Sequence, residues 1–251
     1  MKLGALEPQI IRRKTIKAFN DQPVSDQLIE ELCDFLSEQE MPKDGIDWNF
    51  DTLPYMDMVR IAAVEPAVKA PYFLVLRAER KNFSLQNSGY LGELAVLWLT
   101  ERGLATCWQG NISVGDDFPD CLPYVAAIGF GYSDEPFRRS AEEFQRQPLK
   151  KMIFGEFDGV RHDIAEAVRL APSSMNRQPV SLLSANGRIH VFRNHVFLKN
   201  PVVSYAQCLD TGAAMAHIHV KGDALGCDVR FVGVDPDPTW GNRIYQVSVT
   251  L

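Results

Sequence analysis

Three pairs of glycines stand at one interval: Gly89 and Gly212, Gly103 and Gly226, Gly110 and Gly233, each pair 123 residues apart. Three glycines held in register in this way mark a chain that repeats itself. An internal repeat restricts the available folds more than composition does.

The text around the glycines follows the same interval. Asn87-Ser88-Gly89 opens a long apolar segment that reaches Gly103 and then TCWQG (Thr106–Gly110). Asp210-Thr211-Gly212 opens another, which reaches Gly226 and then DVRFVG (Asp228–Gly233). Each copy ends in a strand-like run, YVAAIGFG (Tyr124–Gly131) and YQVSVTL (Tyr245–Leu251), and earlier strands correspond as PYFLVL (Pro71–Leu76) and GRIHVF (Gly187–Phe192).

An amphipathic helix precedes each set. LIEELCDFL (Leu28–Leu36) places Leu28, Ile29, Leu32, Phe35 and Leu36 on one face, with Ser25 as N-cap after Pro23. DIAEAVRLA (Asp163–Ala171) does the same with Ile164, Ala167, Val168 and Ala171. Before these helices lie the related stretches RRKTIKAFNDQPV (Arg12–Val24) and RQPLKKMIFGEFDG (Arg146–Gly159).

Helices and short strands in this order predict an α+β fold with helices laid on sheets. Two pseudo-repeats, about 10–132 and 146–251, are expected, joined by a polar segment 133–145 too short to keep them apart. The alternative is one irregular α+β domain whose halves share only a binary pattern.

A chain of 251 residues with 46% hydrophobic and 23% charged residues has the make-up of an ordinary globular protein. Its formal charge of −6 argues against general attraction to nucleic acid or anionic membranes, so any phosphate site must be a local cationic cluster. The five cysteines, Cys33, Cys107, Cys121, Cys208 and Cys227, form no CxxC pair and are odd in number. That fits neither a zinc site nor a disulfide framework, and suits a reducing compartment. The first residues lack the apolar stretch of a signal peptide, and the most apolar segment, Tyr90 to Leu99, contains Glu93 and is too short to span a bilayer. A cytoplasmic location is expected.

Three segments carry groups that core packing does not require. Arg12-Arg13-Lys14-Thr15, followed by Lys17, gathers cations and a hydroxyl in an otherwise acidic chain. A phosphomonoester calls for such donors, although a solvated basic helix face has the same composition. Pro172-Ser173-Ser174-Met175-Asn176 follows a helix that Pro172 must stop. Its hydroxyl and amide groups suit the carbonyl–NH–carbonyl edge of a flavin, and equally a turn that caps its own backbone. Gly103 to Asn111 leaves the long helix. There Gly103 can supply a left-handed C-terminal turn and Gly110 a close backbone approach to a flat ligand, while Trp108 also reads as a packed core residue.

Other chemistries find little support. Gly129-Phe130-Gly131 lacks the third glycine of a dinucleotide fingerprint, and neither a P-loop nor a GxSxG elbow is present. His217 and His219, two apart, face different sides of a helix, which disfavours a metal site. Glu30-Glu31 and Glu142-Glu143 read as solvated helix charge.

The three segments together resemble the nitroreductase family. RRKTIKAF is similar to its N-terminal RRSxRxF signature, APSSMNRQPV to its APSSxNxQPW loop, and NSGYLGELAVLWLTERGLATCWQG to its central helix with GLGTCWxG. Arg146-Gln147-Pro148-Leu149-Lys150-Lys151 resembles its RKPLEE element. The Ser-Ser-x-Asn loop here follows residue 170 instead of preceding the central helix, an order that resembles a fused-halves subfamily.

The resemblance implies a nitroreductase-like fold in which the two halves pack as an intramolecular pseudo-dimer with antiparallel-rich sheets, and one FMN per chain. Matched by position, Arg13, Lys14, Thr15, Lys17 and Arg146 are the phosphate-side residues. Pro172, Ser173, Ser174 and Asn176 are the loop from the other half, and Trp108, Gln109, Gly110 and Asn111 face the flavin's reactive edge. Lys14-Thr15 stands where the family has Arg/His-Ser, and Val180 where it has tryptophan, which alters part of the pocket wall. The implied reaction is hydride transfer from NAD(P)H through FMN to a nitroaromatic, quinone or similar small acceptor, in a ping-pong cycle with no obligatory catalytic side chain and no metal. A monomer is expected, since the fusion removes the usual reason to dimerise. The rival reading is a flavin- or small-ligand-binding module of the same fold without turnover.

Overall fold

The computed structural model describes residues 2–110, 112, 114, 121–195 and 200–251. It is an α+β architecture of two sheets and six α-helices among the described residues. In chain order these are α1 (Glu7–Arg12), α2 (Asp26–Ser37), β1 (Trp48–Pro54), α3 (Tyr55–Ile61), β2 (Tyr72–Ala78), α4 (Ser84–Glu101), β3 (Ala105–Gln109) and β4 (Tyr124–Gly131). There follow β5 (Ile153–Gly155), α5 (Gly159–Leu170), β6 (Val180–Ala185), β7 (Arg188–Arg193), α6 (Pro201–Ala224), β8 (Arg230–Val232) and β9 (Ile244–Thr250).

The first sheet runs β1-β2-β4-β3 and is antiparallel throughout. The second runs β6-β7-β9-β8 in the same antiparallel pattern, with β5 added in parallel outside β6. In both sheets the last strand returns between the hairpin and the strand that follows the long helix. One apolar core joins Leu74, Leu76, Ile128 and Phe130 of the first sheet to Leu182, Val191, Val247 and Val249 of the second, through α2, α4, α5 and α6. The alternate residues Phe73 and Val75 face the other way and pack with Met58 of α3 in a smaller cluster.

Helices α4 and α6 form the centre. Every residue from Gln86 to Thr100 is buried, as is every residue from Asp210 to Ile218, so these stretches of the two helices are enclosed on all sides. Their backbones meet at the first glycine pair. A Cβ on Gly89 would overlap the carbonyl of Leu209, and a Cβ on Gly212 would overlap the carbonyl of Gln86. Gln86 and Leu209 are themselves 123 residues apart, so the two contacts are reciprocal. The second pair ends the same helices. Gly103 and Gly226 have φ of +80° and +78°, and the next residues bond back five positions, Leu104 N to Leu99 O and Cys227 N to Gly222 O, both at 2.9 Å.

The shorter helices form as their patterns predict. Ser25 Oγ accepts from Leu28 N at 3.3 Å and starts α2, which buries Leu32, Phe35 and Leu36. Helix α5 buries Ile164, Ala167 and Val168 and stops at Leu170, two residues before Pro172. The basic stretch after Arg12 is extended rather than helical, and Thr15 bridges in parallel to Thr106 of β3. Short β5 and α3 have no counterpart among the sequence expectations. Residues 133–145 lie against the N-terminal stretch: Ser133 Oγ donates to Ala18 O at 2.6 Å and Arg138 Nη1 donates to Arg13 O at 2.6 Å.

Candidate functional site

Helix α5 ends with its last carbonyls turned toward cations. Arg13 Nη2 donates to Leu170 O at 3.2 Å, and Arg146 Nη2 donates to Leu170 O at 3.3 Å and Ala171 O at 3.1 Å. Positive charge suits the negative end of a helix. The other end of the Arg146 guanidinium meets the loop beyond Pro172: Nη1 donates to Asn176 Oδ1 at 2.7 Å. Asn176 Nδ2 in turn donates to Gln145 O at 2.9 Å. The N-terminal motif, the segment after 133 and the hydroxyl–amide loop therefore meet at one helix terminus.

A third guanidinium completes a cluster. The buried Phe144 ring has Arg13, Arg138 and Arg146 around it, their Cζ atoms 5.8, 4.2 and 5.2 Å from its centroid. An aromatic face tolerates cations but does not neutralise them. Burial and the charges of Arg13 and Arg138 draw Arg146 down to about 10. Burial likewise lowers Arg13, with Glu93 opposing, and lowers Arg138, with Glu143 opposing. The Nε atoms of Arg13 and Arg146 are buried and have no hydrogen-bond partner.

Arg13 is itself only 4% exposed, and its Nε lies 3.3 Å from Glu93 Oε1, a charge contact off the hydrogen-bond axis. Glu93, fully buried midway along α4, also accepts from Trp108 Nε1 at 3.4 Å and faces His217 Nε2 at 3.0 Å. A continuous polar path thus runs from Trp108 through Glu93, Arg13, Leu170 and Arg146 to Asn176.

The remaining predicted residues surround this path or lie off it. Lys14 pairs with exposed Glu135 at 3.0 Å, Thr15 and Lys17 are exposed, and Lys17 is near enough to Cys107 to offset part of the rise that burial imposes on that thiol. Gln109 is buried, with Nε2 donating to Cys107 O at 3.2 Å, and Gly110 is exposed at the end of β3. Asn111 lies outside the described residues. Ser173 Oγ accepts from Gln178 N at 2.9 Å, and Ser174 N donates to Asp210 Oδ1 at 2.8 Å. Met175, Asn176 and Gln178 have φ of 52°, 54° and 50°, so the loop is tightly turned without glycine.

Asp210 and Asn87, 123 residues apart, hold equivalent loops: Asn87 binds Lys43 through N and O, as Asp210 binds Ser174 N. Burial pushes the Asp210 carboxyl up to about 7, against the Ser174 bond and Arg177. Beside the loop is a cleft of about 350 Å³ lined by Pro172, Ser173, Gln178, Asp210 and Arg243 among others. It takes no residue from Arg13–Lys17 or from Trp108–Gly110. The sequence reading missed Glu93, His217, Asp210 and Arg138. A lone carboxylate inside an apolar helix was the signal for the first, because buried charges are paired.

Among the described residues, no helix is long and apolar enough to cross a membrane. The chain resembles a solved nitroreductase of Thermotoga maritima, described as putative, with a TM-score of 0.64 and 18% identity over 99% of this chain and 92% of that one. An FMN-dependent nitroreductase of Clostridium difficile is 17% identical, covers 59% of this chain and 98% of that one, and has a TM-score of 0.46. A nitroreductase of Desulfovibrio desulfuricans, described as putative and solved in complex with FMN, is 16% identical over 60% and 96%, with a TM-score of 0.45. No curated protein matches the chain. A family model described as "Putative TM nitroreductase" matches residues 5–222, and the chain belongs to that family.

Proposed function

We propose that the chain is an FMN-dependent oxidoreductase that binds one FMN where the arginine cluster meets the loop beyond Pro172. The observation that carries this reading is the convergence of Arg13, Arg138 and Arg146 around Phe144, with the buried Nε–H of Arg146 lacking an acceptor. Unsatisfied buried donors on cationic groups are costly unless a ligand meets them, and a phosphate supplies the acceptor oxygens. The donor set therefore fits the phosphate end of FMN.

In this proposal Arg146 and Arg13 anchor the phosphate, helped by Lys14, Thr15 and Lys17 from the extended stretch beside β3. Pro172, Ser173, Ser174 and Asn176 hold the cofactor from the other side, and Trp108, Gln109, Gly110 and Asn111 border its reactive edge. Arg146 ties the two sides together through Asn176. FMN, when bound, supplies acceptance of hydride from NAD(P)H and its delivery to a quinone, nitroaromatic or similar small acceptor. The chain's own residues bind, orient and shield it.

Residues of about 10–132 and 146–251 are pseudo-repeats joined by 133–145, and one chain contains the complete site and works as a monomer in a reducing, cytoplasmic setting. The shared strand order and the reciprocal glycine contacts support that division.

The test is steady-state oxidation of NADH and of NADPH by FMN-loaded protein with a quinone acceptor. Turnover with parallel double-reciprocal lines, the ping-pong pattern, is expected. Reduction of bound flavin without reoxidation by acceptors would instead identify a flavin-binding module.

A further inference from the structure

Glu93 and His217 are both fully buried and face each other across the α4–α6 contact. His217 Nδ1 lies 2.8 Å from the carbonyl oxygen of Ala167 on α5. A carbonyl can only accept, so Nδ1 carries the hydrogen. The other ring nitrogen, Nε2, lies 3.0 Å from Glu93 Oε1. A neutral ring with its hydrogen on Nδ1 would aim a bare lone pair at a carboxylate oxygen, an arrangement of two buried acceptors with nothing to hold them together. A hydrogen between the two atoms removes the conflict, whichever atom it stays on.

We propose that Glu93 and His217 share one proton in the folded protein and so leave the charge of Arg13 available to an anionic ligand. With that proton, Arg13, Glu93 and His217 together carry one net positive charge; without it they carry none. The helix end supports the first count, while the guanidinium groups of Arg13, Arg138 and Arg146 act against a further positive charge. The C-terminal carbonyls of α5 favour a cation at the ring. Arg13 stands on the far side of Glu93, with Arg138 and Arg146 behind it around Phe144, and the Trp108 indole N–H approaches the other carboxylate oxygen. Glu93 Oε1 is engaged by the ring, while Arg13 Nε lies beside it without a hydrogen bond of its own.

His217 and Glu93 are thus positioning residues. They touch no ligand in this account, and they set how much of the Arg13 charge a phosphate meets. The inference rests on the reading of the arginine cluster as a phosphate seat, and the experiment separates the two.

The ratio of FMN to riboflavin affinity, measured by flavin fluorescence, isolates the phosphate contribution. His217→Gln, which removes the proton and leaves Glu93 to neutralise Arg13, is expected to lower that ratio about ten-fold. Glu93→Gln keeps the net charge at plus one and should leave the ratio within about three-fold of wild type. The double variant should restore what His217→Gln loses. A ratio raised by Glu93→Gln and unmoved by His217→Gln overturns the proposal, since it means that the pair carries no proton. Long-range proton–nitrogen NMR of the ligand-free wild type gives an independent answer that does not need the variants to fold. Two protonated ring nitrogens on His217, or a protonated Glu93 carboxyl, support the proposal, and a bare Nε2 facing an ionised carboxylate ends it. A wild-type ratio near one would remove the phosphate seat while the NMR result still decides the proton.

Discussion

Arg13 and Arg146, 133 residues apart in the chain, donate to the same carbonyl oxygen, that of Leu170, at 3.2 and 3.3 Å. Sharing one acceptor holds two guanidinium groups at closer quarters than their charges favour. Burial first, and then the charges of Arg13 and Arg138, lower Arg146 in that arrangement. A phosphate between them would turn the repulsion into attraction.

Arg13→Ala should destabilise the fold as well as weaken FMN binding, because it leaves Glu93 buried with one cation fewer. With the His217 ring still engaging Glu93, the cost should be about 1–3 kcal/mol, the range for losing a buried polar partner. A urea midpoint within experimental error of wild type would show that Arg13 does not hold the core together.

Alanine at Gly89 or Gly212 places a methyl group on the opposing backbone, at Leu209 or Gln86. Each substitution should cost about 2–3 kcal/mol of stability, since backbone cannot rotate away as a side chain can. Gly233→Ala, where a methyl group meets nothing within 4 Å, should change stability by less than about 0.5 kcal/mol. Equal thermal midpoints for the three variants would contradict the reciprocal helix contact.

Asp210 makes stability depend on pH in a defined direction. Its carboxyl sits at about 7 in the folded chain against an ordinary 3.8. Between those values the folded chain keeps a proton that the unfolded chain has released, so stability falls as pH rises from about 4 to 7 and stays lower above. Asp210→Asn keeps an acceptor for Ser174 N and removes the ionisation, as Asn87 does at the equivalent position. The variant should be more stable than wild type at pH 8, by about 2–4 kcal/mol at most, and the gain should vanish near pH 4. Parallel denaturation curves across that range would refute the assignment.

Much of the fold could be read from the sequence because each element carries its own pattern. β4 begins and ends where the run Tyr124–Gly131 does, and Ser25 and Pro172 bound their helices as local chemistry requires. The short β5 was not legible, because three residues have no periodicity and pair only through a distant strand. The segments of the candidate site stood out in the sequence, but their wiring did not. Glu93 looked like an interruption in an apolar helix, since its partner His217 lies 124 residues away on another helix. Phe144 and Arg138 were hidden in a segment whose composition reads as solvated linker, although Phe144 is buried. Arg13, matched by position to the phosphate side, also turns its guanidinium onto Glu93 and Leu170, contacts that no local pattern announces.

The most direct test of the account is the amount of FMN that one chain retains. Protein reconstituted with excess FMN, freed of unbound flavin and denatured by heat should release close to one FMN per chain. Release of no flavin, or of two per chain, would contradict a single site gripped by the arginine cluster and the loop beyond Pro172.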